Sequence, residues 1–383
     1  VPILSLRLQL FGFFIGGELG YHETAFSPDT VFMKKSSPPT TARPRTAIAG
    51  VLAVCWALLG ATSDTAGHLN GRPEVEAFIE EMVAKHEFKR DELENLLAHA
   101  QLQPRVVRAM SAPVASPKPW HQYRPNFLNS RRIDGGADFW EANGETLRQA
   151  RETYGVPEEV VVSIIGVETR YGASTGSFRV LDSLSTLAFD YPRRAEFFRG
   201  ELEHFLLLSR DEGLDPLSLR GSFAGAMGIP QFMPGSFRRF AVDFDGDGRR
   251  NLWSSEEDAI GSVANYLKTY GWKAGEPVAV PASVAGEEFQ AVLAEGLKPQ
   301  RTVAELKALG IVPLAPVAAD TPAALVALET EDGIEYWLIL NNFYVITRYN
   351  RSVNYAMAVY QLSREIAALR QPEGAAVVAG IGK

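Results

Sequence analysis

Val160-Val161-Val162-Ser163-Ile164-Ile165-Gly166-Val167-Glu168-Thr169-Arg170-Tyr171-Gly172 is the stretch on which the reading of this chain turns. Pro157 stands ahead of it at a position suited to helix entry. A helix over the run is apolar on nearly every face, and such a helix belongs in a protein interior. At its end the run carries an ionisable carboxylate, Glu168. Charging a carboxyl there is costly, so its pKa is expected to rise towards neutrality. A carboxylic acid still protonated near pH 7 is what general-acid cleavage of a glycosidic bond needs. The bland alternative is a helix-terminal carboxylate that faces water or pairs with Arg170. Gly166 and Gly172 favour the functional reading, because they would let a substrate approach the backbone.

With 383 residues the chain can bury one large core or two to three smaller ones. Its 46% hydrophobic and 22% charged content is ordinary for a globular protein, and a net charge of -8 speaks against nucleic acid as a partner. Met33-Lys34-Lys35, the arginines 43 and 45 and the apolar run 47–61 have the order of a secretory signal. Residues 33–65 are therefore expected to be a signal peptide directing the protein to the periplasm, and residues 1–32 a non-native upstream extension. The apolar run is shorter than the ~20 residues of a membrane span. Cys55, the one cysteine, lies inside that run and not at its end, which makes a lipid anchor the lesser alternative. The mature chain would then carry no thiol, and the six histidines show no paired spacing for zinc.

Beyond the signal, two amphipathic helices are expected between Pro73 and Leu102, with Gln103-Pro104 ending the second. Residues 112–136 read as irregular, and a helix is expected over 137–154. Another should run from Pro192 to Glu212, closed by Gly213, and another from Glu256 to Tyr270. The segments 278–280, 324–327 and 336–340 are strand-like, and Glu331-Asp332-Gly333 reads as a hairpin turn. Thr302 with Glu305 forms a capping box. The last strong helix spans 352–369. The fold class is thus α+β, mainly α. A helical N-terminal region (66–155) precedes a catalytic core (156–275), a small β-containing subdomain (276–347), and a C-terminal helix and tail (348–383).

Two further motifs carry chemistry. Asp243-Phe244-Asp245-Gly246-Asp247-Gly248-Arg249-Arg250-Asn251 has the alternating carboxylates and central glycine of an EF-hand calcium loop. Ser254 stands where the bidentate glutamate belongs, so Asp258 or Glu257 would close a longer loop. The expected ligand set is Asp243, Asp245, Asp247, the Arg249 carbonyl and Asp258. Three alternating aspartates would repel one another without a cation; the alternative is an Asp/Gly turn with Ser254 capping the next helix and Glu257 three residues on. A single such loop suits a structural calcium ion. The second motif, Gly221 to Pro234, combines small residues with Ser222, Gln231, Phe232 and Met233. It is either a loop on which a ligand rests or a buried glycine-rich contact.

Taken with Tyr191-Pro-Arg-Arg-Ala-Glu-Phe-Phe and Asn342-Phe-Tyr-Val-Ile-Thr-Arg-Tyr-Asn350, these motifs occur together and in order. The chain resembles the lytic murein transglycosylase B family, the soluble peptidoglycan-cleaving group of glycoside hydrolase family 103, over about residues 73–370. The resemblance implies a lysozyme-like catalytic core with Glu168 as its single acid/base. It also implies that Ser222 and Gln231 line the sugar cleft, with Arg193 and Arg194 beside it as a basic pair. Tyr123, Tyr266, Tyr344 and Tyr349 would contact saccharide, although for any one tyrosine core packing is the alternative. Most glycosidases use two carboxylates, and of the acids nearby only Asp182 and Asp190 suggest themselves as a second. The family chemistry needs none. It breaks the bond between N-acetylmuramic acid and N-acetylglucosamine with formation of a 1,6-anhydro product, without an organic cofactor. Glycan strands are the implied partner, cell-wall synthetic enzymes are further candidates, and a monomer is expected. The alternatives are a hydrolytic, lysozyme-like muramidase and a non-catalytic peptidoglycan-binding module.

Overall fold

The Glu168 run forms a helix, Glu158–Thr169, in which every residue from Val160 to Val167 is buried. Four helices surround it: Ser130–Ala142, Gly144–Tyr154, Glu256–Thr269 and Val353–Arg370. That is why no polar face is needed, and each fully buried Val or Ile contributes about 1.5–3 kcal/mol through removal from water. The computed structural model describes residues 69–112 and 118–370. The expected signal, the stretch before it and the tail after Pro372 lie outside those residues.

Most of the expected helices are present, with instructive shifts. Pro73–His86 and Arg90–Ala98 form as predicted. Gln103-Pro104 follows the second, but Pro104 also opens a further helix, Pro104–Ser111, because proline in a first turn forfeits no helical hydrogen bond. The region read as irregular becomes helical well before residue 137. Asn129 caps the Arg132 amide at 3.2 Å and starts the helix Ser130–Ala142. The helix expected over 137–154 is two helices broken at Asn143, whose amide reaches back to the Phe139 carbonyl at 3.1 Å and across to Glu256 at 2.7 Å. Between Val180–Asp190 and Ala195–Asp211 the chain makes a 3-10 turn at Pro192–Arg194. Gly213 takes the left-handed conformation just past the second of these helices.

The strands number seven among the described residues. β1 (Phe178–Arg179) and β2 (Arg220–Gly221) form an antiparallel pair. β3 (Ala279–Val284), β4 (Arg301–Thr302), β5 (Ile311–Pro313), β6 (Pro322–Glu329) and β7 (Ile334–Ile339) form one antiparallel sheet in the order β4-β6-β7-β3-β5. β6 and β7 are the predicted hairpin, in register at Val326 and Trp337, and the Thr302–Glu305 capping box starts the helix Val303–Ala308. β6 is apolar from Pro322 to Leu328, and its middle, Ala323 to Val326, is covered on both faces. Ala323 and Leu325 point into a small separate core, while Ala324, Val326 and Leu328 join the main one. The Tyr360 hydroxyl donates to the Ala279 carbonyl at 3.0 Å and ties the sheet to the C-terminal helix Val353–Arg370. Among the described residues no helix is long and apolar enough to cross a membrane.

Candidate active site

Glu168 lies in the last turn of its helix, and the chain turns away at once through two left-handed residues, Arg170 (φ 54°) and Tyr171 (φ 58°). For non-glycine residues this costs roughly 1–2 kcal/mol each, so other contacts must impose it. Thr169 donates its hydroxyl to the Ile229 carbonyl at 2.9 Å and accepts from the Gly172 amide at 3.0 Å. The Tyr171 hydroxyl donates to the Arg132 carbonyl at 2.6 Å. A methyl group at Gly166 would lie 2.4 Å from the Tyr171 oxygen. The notch at Gly166 is therefore filled by the Tyr171 ring and not by a substrate, contrary to the expectation from sequence. Gly172 takes the left-handed conformation (φ 80°), and a methyl group there would only touch Ile229, at 3.6 Å.

Glu168 as a residue is half-buried, and its carboxyl group accepts a 2.6 Å hydrogen bond from Tyr355, which is 2% exposed. Burial pushes the Glu168 pKa up to about 8, against the opposing influence of the Tyr355 hydrogen bond and the Arg132 guanidinium. Its place at a helix C-terminus works in the same direction as burial, since the carbonyl end of the helix disfavours negative charge. Arg170 is exposed and does not pair with it.

Two of the predicted tyrosines stand close to this acid. Tyr123 and Tyr349 both feel its charge, and burial raises both phenols above their ordinary range. Tyr349 donates to the Pro230 carbonyl at 2.5 Å and packs on Tyr266 and Phe232. Tyr266 is buried deeper in that aromatic cluster, with its hydroxyl on the Arg348 carbonyl at 2.6 Å. Gln231 is 3% exposed, sits at φ 54°, and gives its amide N–H groups to the carbonyls of Thr175 and Gly228. Its Oε1 is buried and has no partner among the described residues. Ser222 is also buried, and its hydroxyl accepts from the Ala224 and Ala226 amides. Arg194 lies over the Phe197 ring at 4.2 Å, and Arg193 is exposed. No interaction among the described residues joins Ser222, Gln231, Tyr266, Tyr344, Arg193 or Arg194 to Glu168 directly.

The glycine-rich segment is a tightly packed loop. A methyl group at Gly228 would meet the Leu252 carbonyl at 2.4 Å, and the Ile229 amide donates to that same carbonyl at 2.7 Å. Leu252 belongs to the exit of the aspartate loop, so that loop is stitched to the segment bearing Gln231. Within it, oxygens of Asp243, Asp245 and Asp258 converge within 4.8 Å. Asp258, and not Glu257, is the later carboxylate that joins, and it is 1% exposed while accepting from the Phe244 and Asn251 amides at 2.7 and 2.6 Å. Asp247 is outside this group and accepts from the Arg249 amide. The helix cap is Ser255 and not Ser254: the Ser255 hydroxyl accepts from the Asp258 amide at 3.0 Å. An all-oxygen set built on carboxylates fits a hard divalent cation such as calcium.

The transglycosylase SLT domain matches residues 70–364. The chain belongs to this family. It is 47% identical over 313 residues to the membrane-bound lytic murein transglycosylase B of Escherichia coli (strain K12), covering 79% of this chain and 85% of that protein. It is 51% identical to the crystal structure of the soluble lytic transglycosylase SltB1 of Pseudomonas aeruginosa, with a TM-score of 0.75 over 78% of this chain and 99% of that one. It is 45% identical to the Escherichia coli lytic transglycosylase Slt35 solved in complex with calcium, with a TM-score of 0.73 over 81% of this chain and 98% of that one. The expected mainly helical, lysozyme-like fold is the fold of this SLT-domain protein.

Two acids considered as partners for Glu168 are engaged elsewhere. Asp182 is buried and held by both ends of the Arg179 guanidinium, at 2.9 and 2.7 Å, and by the Gln101 amide. Asp190 pairs with Arg72 at 2.7 Å. Conversely, sequence reasoning on this SLT-domain protein missed Tyr355 and Arg132. For Tyr355 a signal existed: it is a lone hydroxyl in the buried face Tyr355-Ala356-Met357-Ala358-Val359, where a phenol needs a partner.

Proposed function

We infer that this SLT-domain protein is a lytic transglycosylase of peptidoglycan, with Glu168 acting first as acid and then as base. The observation that carries the inference is a carboxyl at the end of a buried helix whose pKa burial pushes up to about 8. At neutral pH it holds a proton to give to the oxygen between N-acetylmuramic acid and N-acetylglucosamine. As that C1–O bond breaks, the substrate's own N-acetyl oxygen stabilises C1, which is the role a second carboxylate plays in most glycosidases. The carboxylate left on Glu168 then takes the proton of the C6 hydroxyl. O6 forms the new bond to C1, closing the 1,6-anhydro ring and restoring the acid. No water is consumed.

Ser222, Gln231, Tyr123 and Tyr349 frame the sugar site in this proposal. Tyr266 supports Tyr349 from behind. A calcium ion held by Asp243, Asp245 and Asp258 would stiffen the loop that bears Leu252 and, through it, the Gly228–Gln231 turn. The signal expected over residues 33–65 would deliver the enzyme to the periplasm, where glycan strands lie. Mass spectrometry of digested sacculi tests the reaction: anhydro-muramic ends are expected, and muramic reducing ends alone would mean hydrolysis. Glu168→Gln should lower the rate roughly 100- to 10,000-fold, the usual weight of a positioned acid/base. Unchanged activity would remove Glu168 from the chemistry.

A further inference from the structure

Arg132 is the charged residue around Glu168 that the mechanism has not yet used. It stands in the first turn of the helix Ser130–Ala142 and is half-buried. Its guanidinium donates to the Gly166 carbonyl, two residues before the acid, and to the Asn126 carbonyl at 3.1 Å, while lying 5.0 Å above the Phe127 ring. Its own carbonyl accepts from Tyr171, whose ring fills the Gly166 notch. One residue thus grips the last turn of the Glu168 helix with its side chain and, through Tyr171, with its main chain. Among the described residues Arg132 forms no ion pair, yet Glu168 feels its charge.

We propose that Arg132 is a positioning residue for the reaction: it pins the last turn of the Glu168 helix and supplies the positive charge against which the carboxylate forms after the proton is given away. This rests on Glu168 being the acid/base. A contact ion pair would hold the glutamate ionised and useless as an acid. A guanidinium anchored on two carbonyls cannot collapse onto the carboxylate, but it still offsets the cost of the ionised state. The other groups facing Glu168 carry no full charge at neutral pH. They are Tyr355 from the C-terminal helix, Tyr349 from Asn341–Tyr349 and Tyr123 from Trp120–Tyr123. Tyr266 of Glu256–Thr269 reaches the site only through Tyr349, and Arg151 of Gly144–Tyr154 pairs with Glu158 at the far end of the helix.

Carboxyl-carbon NMR of Glu168, titrated in the full chain, separates this proposal from the acid/base assignment, which Glu168→Gln tests by activity. In Arg132→Gln the Glu168 midpoint should move up by about half a pH unit or more. Because the acid form is the active one in the first step, the alkaline limb of kcat/KM should move to higher pH with it. Meanwhile kcat should fall roughly 10- to 100-fold, as expected for a displaced reacting group, with KM changed little. Arg132→Lys, which keeps the charge and loses the fork, should leave the midpoint near that of the parent and still lower kcat. Should Arg132→Gln not fold, Arg132→Met keeps the stem over Phe127 and removes the same charge. A midpoint that stays put or falls in the neutral variant, or a loss confined to KM, would overturn the proposal.

Discussion

Replacing Glu168 by glutamine should stabilise the folded protein while disabling it, and the gain should appear only as pH rises. An ordinary carboxyl titrates at 4.5, and burial holds this one at about 8. Below pH 4.5 the group is protonated in both the folded and the unfolded chain, so it contributes no pH-dependent difference. As pH rises from 4.5 to 8 the unfolded chain releases the proton and the folded protein retains it, which draws the equilibrium towards unfolding. At about 1.4 kcal/mol per pH unit the cost is capped near 5 kcal/mol. Glu168 as a residue keeps part of its surface exposed, and the effective dielectric around real protein carboxyls is well above that of a dry interior, which lowers the figure to roughly 2–3 kcal/mol. Above pH 8 both states are ionised and the cost is constant.

Glutamine has the same shape, carries no proton to release, and its Oε1 can still accept from Tyr355. Reversible urea unfolding of the parent and of Glu168→Gln at pH 5 and pH 8 measures the difference directly, with all other titrating groups cancelling. The variant should be the more stable by roughly 2–3 kcal/mol at pH 8 and by little at pH 5. A difference that is flat with pH, or one in which the variant loses stability as pH rises, would refute the raised pKa and with it the case for a buried acid.

Tyr355→Phe removes the hydrogen bond on Glu168 Oε1. A hydrogen bond to a charged group is worth about 1.5–3 kcal/mol, so the Glu168 midpoint should rise by roughly one pH unit or more, and the alkaline limb of activity should follow it upward; a limb that moved down would contradict the sign. Asp258→Asn, or strict chelation, should lower the midpoint of thermal unfolding and reduce activity together, because Asp258 holds both ends of the aspartate loop through the Phe244 and Asn251 amides. If calcium addition to the chelated protein left its melting temperature unchanged, the proposed ion would have to be abandoned.

Much of this arrangement was legible because it is local. The all-apolar run before Glu168, the alternating aspartates of 243–247, the Thr302–Glu305 capping box and the Glu331-Asp332-Gly333 turn are each set by neighbours a few residues away. The features that were misread depend on partners far along the chain. Tyr355 meets Glu168 across 187 positions, and Asn143 breaks its helix with help from Glu256, 113 positions on. Gly166 looked like an opening for substrate because nothing nearby in sequence shows the Tyr171 ring doubling back through two left-handed residues to fill it. Ser255 replaced Ser254 as the helix cap because closing the loop on Asp258 fixes the phase of the helix that follows.

A single carboxylate that must be acid and base within one turnover is constrained from both sides. With no polar neighbour, burial would raise its pKa until the proton could not be given up. With an arginine in contact it would be ionised before the substrate arrived. What surrounds Glu168 avoids both extremes. One neutral hydroxyl at 2.6 Å stabilises the charged form without carrying charge, and one guanidinium is kept from contact by its own bonds to Gly166 and Asn126. The partial exposure of Glu168 as a residue fits the same requirement, since the sugar oxygen must reach a group that the helix otherwise buries. The balance also accounts for the strain after Glu168: two left-handed residues bring Tyr171 back under the helix, where it locks the Arg132 backbone and so sets where the guanidinium stands.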